Sequence, residues 1–259
     1  MNNVFDISRF GKLLNKHLKE HWKTYIMSVL VLVGGLFIIV GLVTYLNNGL
    51  MPVKMQSVLF ALGFLGSGTI FTSMIFSDLG NKTKAIPLLT LPVSHFERFL
   101  VGWLFSFVIF QLVYLLSFYL ADFTIMTIAG KIVDVHNQLM RFSDPALHIV
   151  NFYKIFALFH SIAFLGAIFF EKLHFIKSGF LFMLGVFGVM LINLVQIDLL
   201  FDNKVTAFLP FVVSMVRENE NRFELEPTAT MISYLSIMVY VLVLIFWTAT
   251  YFKLKEKQV

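Results

Sequence analysis

Six long stretches free of Asp, Glu, Lys and Arg alternate with charged segments along this chain. They run over Tyr25–Leu46, Met55–Ser77, Phe99–Ala121, Ile155–Phe170, Ser178–Ile197 and Pro227–Phe252. A helical crossing of a bilayer core takes about 20 apolar residues, and five of the six meet or approach that length. The fourth is short, with 16 uncharged residues between Lys154 and Glu171. Lys154 can snorkel outward, so that helix is predicted over 152–170. The last is predicted over 229–252. The pattern predicts an all-α polytopic membrane protein: a single transmembrane domain over 1–259 with six transmembrane helices.

The segments between the spans carry their own patterns. In residues 4–22, Ile7, Phe10, Leu14 and Leu18 recur at helical spacing, with Leu13 and Trp22 alongside. Arg9, Lys12, Lys16, Lys19 and Lys23 take other positions. This predicts an N-terminal amphipathic interfacial helix; the competing reading is an extension of the first helix. Between the third and fourth spans, residues 133–141 have room for an extra helix. Residues 199–216 hold Pro210 and an uncharged core of 12 residues, too short to cross, which predicts a re-entrant or interfacial segment. In the second span Gly63 and Ser67 sit four apart, either as a close-packing face or as the ordinary glycine usage of membrane helices.

Composition sharpens the picture. Hydrophobic residues make up 58% and charged residues 14%, against about 25% charged in average soluble chains. Cysteine is absent, which removes disulfides, thiol chemistry and Cys-ligated metals. The first span is longer than a signal-peptide core and lacks a small-residue cleavage site, so it is expected to be retained. With both termini placed in the cytoplasm, thirteen Lys and Arg fall on that side and seven outside. The positive-inside rule therefore predicts cytoplasmic termini. No basic stripe interleaved with aromatics lies outside the spans, so nucleic acid is not an expected partner; lipid is.

Candidate chemistry is sparse. There is no P-loop, no His-Glu-x-x-His pair and no G-x-S-x-G elbow, so no enzymatic activity and no cofactor is expected. His160 is the only His, Asp, Glu, Lys or Arg within the six uncharged stretches. It reads as an interhelical hydrogen-bonder before a proton relay. Gln111, Asn193 and Gln196 read as helix glue or as the lining of a substrate path.

The most structured loop is 78–98. Pro87 and Pro92 interrupt any helix there, and Ser94 with Glu97 forms a capping box that starts the third span. Between the prolines and beside them, Ile86, Leu88, Leu89, Leu91 and Val93 are apolar on the cytoplasmic side, which points to the membrane surface or a docking partner.

The run Leu91-Pro92-Val93-Ser94, entering a third helix after a basic N-terminal segment and two spans, resembles the membrane subunits of ABC-2 type exporters. The resemblance covers the whole chain in outline, and the motif itself is short. It implies a permease in the cell (inner) membrane, a second permease copy or paralogue as dimer partner, and a separate cytoplasmic ABC ATPase. By the same resemblance Lys84, Ile86, Leu88, Leu89, Leu91 and Pro92 belong to the ATPase-coupling loop, and 199–216 matches an outer re-entrant hairpin. The loop over 122–154 is longer than that pattern expects. A different class of function, a non-transporting sensor or assembly partner of another membrane complex, fits the same spans.

Overall fold

Helices are the answer this sequence must give, because a backbone in lipid has to satisfy its own hydrogen bonds. The computed structural model describes residues 5–76, 91, 93–133, 137–142, 144, 149–170, 173–201, 205–208, 214–218, 221–225 and 228–256. Among the described residues, six helices are long and apolar enough to cross a membrane. They are α1 (Ile7–Leu46), α2 (Val53–Met74), α3 (His95–Val133), α4 (Ile149–Phe169), α5 (His174–Phe201) and α6 (Ala229–Glu256). The chain is an all-α, multi-pass membrane protein in its body. A small antiparallel sheet, β1 (Val205–Phe208), β2 (Ser214–Glu218) and β3 (Asn221–Leu225), follows α5.

Four boundaries differ from the sequence pattern, each for a physical reason. Residues 4–22 and 25–46 are not separate elements: α1 is one helix of 40 residues, about 60 Å at 1.5 Å per residue. The switch from basic-amphipathic to wholly apolar at Tyr25 changes what the helix touches. It does not break it, because no proline lies between Ile7 and Leu46. The third helix starts at the Ser94 cap, as the capping box predicts, but runs past the expected end at 121, through Asp122 to Val133. Residues 137–142 are not helical, so the helix expected over 133–141 is absent from that stretch. In 199–216, the first residues complete α5, and Val205–Phe208 and Ser214–Val216 pair as strands. Strand β2 continues antiparallel onto β3 from Ser214↔Leu225 to Glu218↔Asn221.

The helix ends define two sides of the bundle. The rings of Phe5, Phe96 and Tyr251 meet at centroid distances of 6.0 and 6.2 Å. The start of α1, the start of α3 and the end of α6 therefore lie together at one end, called here the Glu97 end. Arg9 meets Glu97 at that end and Gly41 faces Ile125 farther along, so α1 and α3 run parallel and side by side. Helix α4 packs against α2, α5 and α6. In its most apolar window, 44% of α4 lies inside the protein, against 6% for α5. That difference puts α4 at the centre and α5 at the lipid-facing periphery.

The core is an aromatic column. Phe60, Phe64, Phe110, Tyr114, Phe118 and Phe156 are all buried. Phe64 and Phe156 approach to 4.3 Å between ring centres, and Phe60 meets Phe118 edge-on at 5.1 Å. Apolar residues gain little by leaving lipid for another helix, so close packing has to supply the association. Glycine makes the approach possible at two levels of α2. Gly63 lies under the Tyr114 ring, whose hydroxyl donates to the Phe60 carbonyl at 3.0 Å. Gly68 lies against Phe156 and Phe110. Buried hydroxyls bond back to carbonyls of their own helix, as Thr44 does to Val40 at 2.8 Å and Thr72 to Gly68 at 2.7 Å.

Gly68→Leu should lower thermal stability in detergent, because overpacking costs about 1–3 kcal/mol. A Cβ there would stand 2.8 Å from Phe110 Cε1. Gly66→Leu, two residues away and facing open space, should leave the melting temperature unchanged or slightly raised. Equal effects of the two substitutions would contradict the packing described.

Candidate functional site

The polar side chains collect at three levels. The first sits where the loop before α3 enters the bundle. Ser94 caps α3: its hydroxyl oxygen accepts from the Glu97 amide at 3.1 Å, and Glu97 Oε2 accepts from the Ser94 amide at 2.9 Å. This is the capping box read in the sequence. The other carboxylate oxygen does something the sequence does not announce. Glu97 Oε1 accepts from the Asp6 amide at 2.9 Å and from Arg9 Nη2 at 3.1 Å. The Glu97 side chain is wholly buried, while that of Arg9 is 31% exposed. One carboxylate thus caps α3 and ties down the first turn of α1.

Asp6 completes the joint from the other side. Its Oδ1 accepts from the amides of Ser8 and Arg9 at 2.8 and 3.1 Å, so it is the N-cap of α1. The Arg9 and Ser8 amides hold its carboxyl below the ordinary value of 3.8. A lowered folded value means that this cap is fully present above that ordinary value and is lost as the pH falls through the lowered one.

The second level is His160. Trp247 Nε1–H donates to Nδ1 at 3.2 Å, and Nε2 lies 2.9 Å from Ser106 Oγ. Since Nδ1 accepts, the bonding pattern assigns the neutral ring with its proton on Nε2, donated to Ser106. Ser106 in turn donates to the Gly102 carbonyl at 2.8 Å. Ser106 lies in a π-helical stretch, Leu104–Ile109. The wider turn is a common feature of functional helices; here it presents the serine to α4. His160 therefore joins α3, α4 and α6. Of the other polar candidates, Gln111 is half-buried on α3, Asn193 half-buried and Gln196 exposed on α5; none joins the His160 set.

The third level is at the opposite end. Asn137 accepts from the Met51 amide at 2.9 Å and donates to the Gly49 carbonyl at 2.7 Å. Gln56 donates to the Met51 and Gln138 carbonyls at 3.0 and 2.7 Å and accepts from the Met140 amide at 2.8 Å. The non-helical 137–142 stretch is thereby stitched to the α1–α2 turn. Below it lies Asp122, read in the sequence as the start of a loop. In the structure it is a fully buried residue of α3, and neither carboxylate oxygen has a partner among the described residues.

Of the coupling-loop candidates, Leu91 is a half-buried bend residue. Lys84, Ile86, Leu88, Leu89 and Pro92 lie outside the described residues. Among the described residues no three His, Asp or Glu side chains group as a metal centre. Compared with known protein families, curated proteins and solved structures, the chain matches none.

Glu97→Ala should destabilise by about 2–4 kcal/mol, because the Asp6 and Ser94 amides lose a charged acceptor and each such bond is worth about 1.5–3 kcal/mol before relaxation. Arg9→Leu should cost less, about 1–2 kcal/mol, because the two amide donors keep their acceptor. Thermal unfolding of the purified protein measures both. A larger loss for the arginine variant would show that the carboxylate is not the hub.

Proposed function

We propose that the chain is the membrane-spanning permease subunit of an ABC-type exporter in a bacterial cell (inner) membrane. It would move a substrate across the membrane with ATP hydrolysed by a separate cytoplasmic ATPase, working as a dimer with a second copy or paralogue. The observation that carries the reading is the Glu97 joint. The loop that would meet the ATPase leads into Ser94, and the carboxylate three residues on grips α1. A push on that loop is delivered to two long helices at once. Two further features support the reading. The chain has no phosphate-binding loop of its own, so transport would need an external motor. Its apolar Ile86, Leu88 and Leu89 precede the joint, where water alone gives them no role.

The orientation belongs to the same proposal. Both ends of the chain's helical body lie at the Glu97 end. The sequence count gives that side thirteen of the twenty basic residues, which favours the cytoplasm. Single cysteines at Asn48 and Asn219 should then react with an impermeant thiol reagent in sealed cells, and one at Asn81 should not. Labelling at Asn81 would reverse the orientation.

The coupling role has its own test. The double substitution Leu88→Asp with Leu89→Asp would put unpaired charges into a desolvated contact, at a cost of several kcal/mol. Recovery of the chain's ATPase by pull-down from native membranes should drop at least about tenfold, with expression and helix content retained. Wild-type recovery would remove the loop as the coupling element.

A further inference from the structure

The lower part of α1 carries two histidines one helical turn apart, His17 and His21. The ring centres are 4.7 Å apart with the planes inclined at 53°. Tyr25, a turn further on, places its hydroxyl 2.7 Å from His17 Nε2. Both His17 and Tyr25 also pack on Phe105 of α3, at 4.9 and 5.4 Å between centres. The His17 ring is thus held from two sides, by a hydrogen bond and by an aromatic wall, and its helix is fixed to α3.

We propose that His17 and His21 form a binding site for a borderline divalent transition metal such as Zn²⁺ or Cu²⁺. Two histidines at i and i+4 share a helix face and reach one ion together. With a metal–nitrogen bond of about 2.0–2.1 Å and an N–metal–N angle near 90–110°, two coordinated imidazole centres lie roughly 4.5–5.2 Å apart. The observed 4.7 Å falls within that window. A neutral imidazole offers a metal one lone pair. Tyr25 acts as the outer partner that orients a ligating ring.

The surroundings choose the class of ion. Lys16, Lys19 and Lys23 occupy the same helical turns and their charge opposes any divalent cation, so binding has to come from directional metal–nitrogen bonds. Mg²⁺ and Ca²⁺ want oxygen ligands, whereas imidazole suits Zn²⁺, Cu²⁺ and Ni²⁺. Glu20 is engaged with Lys16 at 3.5 Å. With two protein nitrogens, the remaining positions of the ion belong to water or to a ligand from solution.

The test uses the full-length protein in detergent, stripped with chelator and carrying no histidine tag. One equivalent of Cu²⁺ should give an electron paramagnetic resonance spectrum with coupling to two imidazole nitrogens. His17→Gln and His21→Gln should each reduce this to one nitrogen. Competition with a Zn²⁺ indicator should show one site that either substitution weakens at least about tenfold, since loss of even an outer partner typically costs that much. His95→Gln, at a histidine outside the pair, should leave both readouts unchanged. A wild-type copper spectrum without nitrogen coupling would overturn the proposal without recourse to any variant. So would coupling that persists unchanged in His21→Gln.

Discussion

Lipid offers apolar side chains nearly the same environment as a neighbouring helix, so hydrophobic burial cannot assemble this bundle. Whatever holds the helices in one arrangement must come from shape and from polar groups that find each other. Both are visible here. Shape is supplied by glycines that let aromatic rings sit on the α2 backbone. The polar groups are few, and nearly all the strong ones join elements distant in the chain: Glu97 to Asp6 and Arg9, His160 to Ser106 and Trp247, Gln56 to Gln138 and Met140. Each tie costs less to form in this medium than its partners would cost if left bare.

The ties are not spread evenly. Helices α1 and α3 are joined at the Glu97 end, and the loops beyond them are stitched by Asn137 and Gln56 at the other. Helix α6 is held to α4 by Trp247 and by Lys154 Nζ, which reaches Ser236 Oγ at 3.3 Å. On helix α5, Ser178 is set against the bare Cα of Gly166.

How much of this was legible follows from what each residue type can announce alone. Spans were legible because a run without charge has few other uses, and the start of α3 because a capping box is a local motif. The length of α1 was not, since a change from basic to apolar looks like a boundary even where the helix has no breaker. Asp122 misled for the same reason: an acid reads as the end of a span, and only the packing around α3 reveals it inside. Capping by Glu97 could be read from Ser94, but its partners Asp6 and Arg9 lie about 90 residues away. His160 was recognisable as a hydrogen-bonder, whereas its acceptors and donors, Ser106 and Trp247, were one serine and one tryptophan among several. The pairing of 205–208 with 214–218 was hidden by a segment too short and too mixed to show a period of two.

The strength of the Glu97 joint decides how a force on the preceding loop would travel. To slide α1 along α3, the carboxylate must release the Asp6 amide, the Arg9 guanidinium or its own cap at Ser94. Hydrogen bonds to a charged group are worth about 1.5–3 kcal/mol each, and even after a discount for the partly exposed Arg9 the joint amounts to several kcal/mol. Thermal energy is roughly 0.6 kcal/mol at the same temperature. The two helices therefore move as one body unless the carboxylate is protonated or displaced. A displacement imposed at Ser94 reaches the far end of a pair of helices about 60 Å long, where Asn137 hands it to the α1–α2 turn. Among the described residues α1 has no proline, and the π-helical stretch of α3 is braced by Ser106 and His160.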